Sequence, residues 1–285
     1  MRLSPLRSFV LPLLATWLAS SGCASWFAPS AKLRGLALEA ALAGGHSPGT
    51  GSVDHGAWAT VLAAAVHEDT ARVDYAAVPK DVLAAYRSQL AEVDLAALSS
   101  PEQEALLINA YNALTLSLIV EQQPLPASIR DLPDPWSTQR WTVAGQTVSL
   151  DDIEHGLLRP IFRDPRLHFA LNCASVGCPP LRATPFTGDQ VDQQLAVAVA
   201  DTLSRPGWLH IDGNRVVVTA LLNWYGADFV AADWSPRADS RAEWLADHAP
   251  TDVANLLRSG QGSLQYADYD WRLNDVGPPV KTETR

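Results

Sequence analysis

Apolar residues recur at helical spacing in three stretches of the chain, 82–93, 102–120 and 189–203. Elsewhere the pattern shortens to alternations broken by turn formers. Segments 141–143 and 147–149 read as strands joined by Ala144-Gly145-Gln146. Segments 208–211 and 215–219 read as a second hairpin, turning at Asp212-Gly213-Asn214. Helices return at 240–248 and 251–257. Between these lies 167–173, where Leu167, Phe169 and Leu171 alternate with His168, Ala170 and Asn172. That alternation predicts a strand ending on Cys173, with a Gly-containing turn carrying Cys178 just beyond it. Helices mixed with short hairpin-linked strands predict an α+β fold rather than a doubly wound parallel sheet. The expected architecture is a single compact domain over 57–274, with several helices packed on those strands.

The first apolar run, 9–19, follows Arg2 and Arg7 and is too short to span a membrane comfortably. Ser20-Ser21-Gly22 then precedes Cys23. This is the pattern of a bacterial lipoprotein signal over 1–22, with Cys23 becoming the lipidated N-terminus. An ordinary secretory signal cleaved nearby is the other reading. On either reading the chain is exported. The lipid would hold it to a bilayer at the periplasmic face of the envelope, on the outer membrane where there is one. Residues 23–55, Gly- and Ser-rich toward their end, read as a flexible tether with a short helix at 36–42. Residues 275–285 read as a tail.

Charge narrows the partners. Without Arg2 and Arg7 the chain keeps 19 Lys+Arg against 31 Asp+Glu, a formal charge of −12. Nucleic acid, whose phosphates need a basic surface, is excluded as a partner. Electrostatic docking on anionic lipid is disfavoured for the same reason. An unknown small molecule or peptide is the expected ligand, and the sequence points to no cofactor. With Cys23 assigned to export, Cys173 and Cys178 remain, an even pair in an oxidising compartment.

Cys173 has three readings. As a nucleophile it needs a histidine to make thiolate. His168 has the wrong parity on a straight strand, so His155 is the better base, oriented by Glu154 or Asp151. Asn172 or Asn109 would then donate to a developing oxyanion. As half of a disulfide, Cys173 would pair with Cys178 across a tight loop. As a metal ligand it would join Cys178 and a histidine at the edge of usual zinc spacing. Asn109 and Asn112 are neighbours on the helix over 102–120, where Asn is a poor interior residue. They either clamp a neighbouring loop, the commoner use of such side chains, or offer amides to a ligand. Asn112, Arg166 and His168 are the candidate ligand-binding residues. Ser149 and Asp152 form a capping box opening a helix that carries Asp151 and His155. Aromatic side chains in 223–229 and 269–274 read as packing and closure elements, the second tying the C-terminus back onto the domain. Trp136 and Trp141 flank a Pro-rich loop, where aromatic walls hold ligands or, more often, pack a core.

Several blocks together resemble a known family. They are Asn109-Ala110-Tyr111-Asn112; Glu154-His155 with Arg159; Asp164-Pro165-Arg166-Leu167-His168-Phe169-Ala170-Leu171-Asn172-Cys173 with Cys178-Pro179; Trp224-Tyr225 with Asp228-Phe229; and Tyr269-Asp270-Trp271 with Leu273-Asn274. In this order they resemble the domain of unknown function 547, over about 57–274. The resemblance implies a shared site or scaffold at these polar positions and names no reaction. The leading expectation is a thiol-dependent hydrolase or transferase acting on amide or thioester bonds of the envelope. The rival is a non-catalytic binding or scaffold module with a Cys173–Cys178 disulfide, or a metal site.

Overall fold

The computed structural model describes residues 49–277. The expected signal at 1–22, lipidation at Cys23, the short helix at 36–42 and the tail beyond 277 lie outside the described residues.

The architecture is α+β, as expected: eight α-helices and short strands in three small sheets among the described residues. Helix α1 is Gly56–Ala65, α2 Lys80–Glu92 and α3 Ser100–Val120. A helix apolar on all sides belongs in an interior. In α3 nearly every residue from Glu102 to Val120 is buried, and the larger core packs around it. Its start is set by Ser99, whose hydroxyl accepts from the Glu102 backbone, and by Pro101 in the first turn.

Strands β3 (Trp141–Val143) and β4 (Gln146–Val148) pair antiparallel through a two-residue turn. Ala144 and Gly145 both take positive φ there, as a twist-matched hairpin turn requires. Strands β5 (Leu209–Asp212) and β6 (Arg215–Val218) form the second expected hairpin. A parallel strand, β7 (Ser263–Tyr266), joins β6 after helices α7 (Arg241–His248) and α8 (Thr251–Arg258). Helix α5 (Val191–Leu203), α7 and this sheet enclose a second core around Phe169, Phe229 and Trp244. A minimal hairpin, β1 (Val66–His67) with β2 (Arg72–Val73), follows α1.

Segment 167–173 is not a strand. Asp164 accepts from the Arg166 backbone and Pro165 sits at the first turn, so Pro165–Phe169 winds into a 3-10 turn. That local capping overrides the alternation, and Leu167, His168 and Phe169 are all buried rather than shared between two faces. The helix opened by the Ser149–Asp152 capping box is also unlike a simple α-helix. Its segment Asp152–Leu158 is a π-helix, continued by α4 (Arg159–Phe162). The backbone N–H of Arg159 reaches the carbonyl of Glu154, five residues back. Wide turns of this kind concentrate at functional sites.

The last residues of the expected tether are anchored. Gly51 exchanges backbone hydrogen bonds with Ala97 and Ser99, and the Val53 N–H donates to Glu102. The C-terminal segment lies back on the domain as expected: Val176 and Gly177 donate to the carbonyls of Arg272 and Asp270, and Asn274 donates to Ala174. Among the described residues no helix is long and apolar enough to cross a membrane.

Candidate functional site

The loop after the 3-10 turn carries the two cysteines, and they are joined as a disulfide with Cα atoms 6.0 Å apart. Its backbone is held from several sides. Asn172 donates to the Pro179 carbonyl at 2.8 Å and accepts from the Ala174 N–H at 3.0 Å. The Trp208 indole donates to the carbonyls of Gly177 and Cys178. The Cys173 N–H lies 2.9 Å from Cys178 Sγ, and the Tyr269 hydroxyl 3.1 Å from each sulfur. Cys178 is buried and Cys173 half-buried.

The pair takes the disulfide form of the three readings: the Cys173 sulfur is bonded to Cys178, and a nucleophilic Cys173 would first need that bond reduced. Metal binding by these sulfurs would need the same reduction, since a disulfide sulfur lacks the charge that makes cysteine a ligand. Asn109 is locked on the backbone of Phe186, donating to its carbonyl at 2.7 Å and accepting from its N–H at 3.0 Å. Asn112 grips the next layer, donating to the Ala170 carbonyl at 2.9 Å and accepting from the Asn172 N–H at 2.8 Å. Both clamp backbone, the first of the two uses expected for them. Arg166 is committed elsewhere, paired with Asp164 and Asp192.

The disulfide is instead one wall of a cavity of about 120 Å³. Four separated segments build the rest. Trp136 comes from the Pro-rich loop. Asp151, Glu154 and His155 come from the start of the π-turned helix, Trp224 and Tyr225 from α6 (Leu221–Trp224) and its end, and Tyr269 and Trp271 from the C-terminal strap. Tyr111 of α3 and Leu171 also line it. The rings touch one another: Tyr269 lies 4.7 Å from Trp224 and 4.5 Å from Trp271, centroid to centroid, and Trp136 lies 5.9 Å from Trp271. Gly177 permits this approach, because a Cβ there would stand 3.0 Å from the Tyr269 ring. A larger hollow of about 500 Å³ lies over Phe186 and α5, but its only ionisable lining residue is Arg182.

The polar lining is acidic. Burial raises the Asp151 carboxyl to about 7, with the Glu154 and Asp152 charges adding to the effect. Burial first, and then the Glu154 charge, hold the Tyr111 and Tyr225 hydroxyls well above their ordinary pKa. Burial lowers the His155 pKa; Glu154 opposes this and the Arg159 and His168 charges reinforce it. The Arg159 guanidinium, which only donates, lies 3.0 Å from His155 Nδ1, so Nδ1 accepts and the ring proton sits on Nε2. Glu154 is 3.8 Å from Nδ1 and Asp151 4.0 Å from Nε2, both beyond hydrogen-bond reach. Arg159 fixes the Nδ1 face of His155.

Behind the cavity, Arg159 grips Asp228 through two donors, and His168 donates to the same carboxylate at 2.8 Å. Burial would raise the Asp228 carboxyl, but these bonds outweigh it and hold it below its ordinary value. His168 also stacks on Tyr225, with centroids 3.8 Å apart. His168 thus supports the cavity wall from behind and does not line it. The residues that sequence reasoning assigned to packing, Trp224, Tyr225, Tyr269 and Trp271, form the cavity itself. Their signal was the pairing of large aromatics with single polar groups near each segment.

Residues 95–201 match the family model described as Protein of unknown function, DUF547. The match covers α3, the π-turned helix, the 3-10 turn and the cysteine loop. It stops short of the segments that supply Trp224, Tyr225, Tyr269 and Trp271. No curated protein and no solved structure matches the chain.

Proposed function

We propose that this chain is an exported lipoprotein, held to a bilayer of the cell envelope by lipid on Cys23, whose domain is a non-catalytic binding module. The leader pattern and the small residues before Cys23 support the address. One observation carries the binding role: a cavity walled by aromatic rings and a disulfide, with three titratable side chains converging on it. Apolar concavities with a few placed polar groups are where small ligands bind. The groups a thiol-dependent hydrolase would use are engaged elsewhere, the sulfurs in their mutual bond and the asparagines in backbone clamps. At about 120 Å³ the cavity holds a group near benzene in size, so it reads one end of a ligand.

The test is a titration of intrinsic tryptophan emission against a panel of small amines, amino acids, sugars and acyl fragments. Trp136, Trp224 and Trp271 report directly on occupancy. A saturable change that Trp224→Ala abolishes, and that Trp136→Phe (a milder change) reduces, is the expected result. No saturable change with any member of the panel overturns the binding role.

A further inference from the structure

We propose that the group this cavity takes is a methylated ammonium, seated against its tryptophan and tyrosine rings and countered by Asp151 and Glu154. The inference rests on the binding role above and names its ligand class.

Four observations converge on it. Trp and Tyr rings attract cations through their quadrupoles, and cages of such rings recognise quaternary ammonium groups. Two of these rings already hold cations: the Arg159 guanidinium carbon lies 5.1 Å from the Tyr225 centroid, and that of Arg130 lies 5.1 Å from the Trp271 centroid. Neither arginine lines the cavity, and nor does any lysine, so its two carboxylates face no resident cation among the lining residues. A guest cation would relieve the mutual repulsion of Asp151 and Glu154.

Size and hydrogen-bonding capacity exclude the alternatives. A sugar ring needs many directed polar partners, and the amides nearest the site are spent on backbone. An anion would meet two carboxylates. A primary ammonium carries three N–H donors, each needing an acceptor on burial. Most of the lining is aromatic ring and disulfide, which accept hydrogen bonds poorly. A trimethylammonium head has no N–H to satisfy and presents only methyl groups to the rings. Its volume suits a cavity of about 120 Å³. The net negative charge of the chain raises the local concentration of cations.

The probes are choline and its neutral isostere 3,3-dimethylbutan-1-ol, titrated into the wild-type protein at pH 8 by tryptophan emission and calorimetry. A cation held against desolvated rings favours choline by roughly ten- to thirty-fold. Glu154→Gln is expected to erase most of that preference. Equal binding of both probes overturns the cation assignment but leaves the binding role standing. Absence of choline binding, while another panel compound binds, also overturns it. Absence of binding by every compound overturns the binding role itself.

Discussion

Replacing Asp151 by asparagine is expected to stabilise the protein while weakening its binding of a cation. Burial and neighbouring carboxylates raise the Asp151 carboxyl from 3.8 to about 7. The unfolded chain ionises this group first as pH rises. Below pH 3.8 both states are protonated and Asp151 costs nothing. Between 3.8 and 7 the folded state binds the extra proton, so stability falls with rising pH, and above 7 the cost is constant. At about 1.4 kcal/mol for each tenfold change in the protonation equilibrium, that interval is worth roughly 4 kcal/mol. The side chain keeps 21% of its surface exposed, and water there discounts the cost to about 2 kcal/mol. Loss of a favourable charge at a helix start takes back about 0.5 kcal/mol. Urea unfolding of wild-type and Asp151→Asn protein at pH 4 and pH 8 is the assay. The variant should gain about 1–2 kcal/mol at pH 8 and nothing at pH 4. A variant no more stable than wild type at pH 8, or a difference that ignores pH, refutes the reasoning. Stability sacrificed at a ligand site is a common trade.

Three further outcomes follow from the geometry. Reducing the Cys173–Cys178 bond, which closes a loop of sequence separation 5, should cost about 2 kcal/mol and lower Tm by roughly 4–8 °C, measured by calorimetry with and without reductant. An unchanged Tm, or two alkylatable thiols in the unreduced protein, would contradict the disulfide's place in the wall. Asn112→Ala leaves the Ala170 carbonyl and the Asn172 N–H buried without partners, and should cost about 2–5 kcal/mol in urea unfolding with little change in ligand affinity. Gly177→Ala should push the Tyr269 ring, 3.0 Å from the new Cβ, and weaken choline binding several-fold, with a lower Tm because the Asp270 backbone N stands 3.1 Å away.

Features built from neighbouring residues were legible in the sequence. The periodicity of α3, the two hairpins and the Ser149–Asp152 capping box each follow from contacts within a few positions. Clamping by Asn109 and Asn112 was readable because asparagine in a strong helix needs a reason. Competing local rules misled at 167–173, where an Asp-Pro helix start overrode strand alternation. Wide turns between Asp152 and Leu158 leave no simple period to read. Strand β7 pairs with β6 across three intervening helices, and no local pattern announces a parallel partner. Each segment of the cavity wall looked like ordinary packing on its own. Only the fold brings Trp136, Trp224 and Trp271 to one place, and only the loop geometry chooses between thiol and disulfide.

The most direct measurement follows the tryptophan indole N–H signals by NMR as choline is added to the oxidised wild-type protein. Trp136, Trp224 and Trp271 should shift together along one saturation curve, while Trp58 and Trp244, each 1% exposed in the cores, stay in place. Movement of other indoles, or stationary signals from these three at saturating choline, would contradict the account.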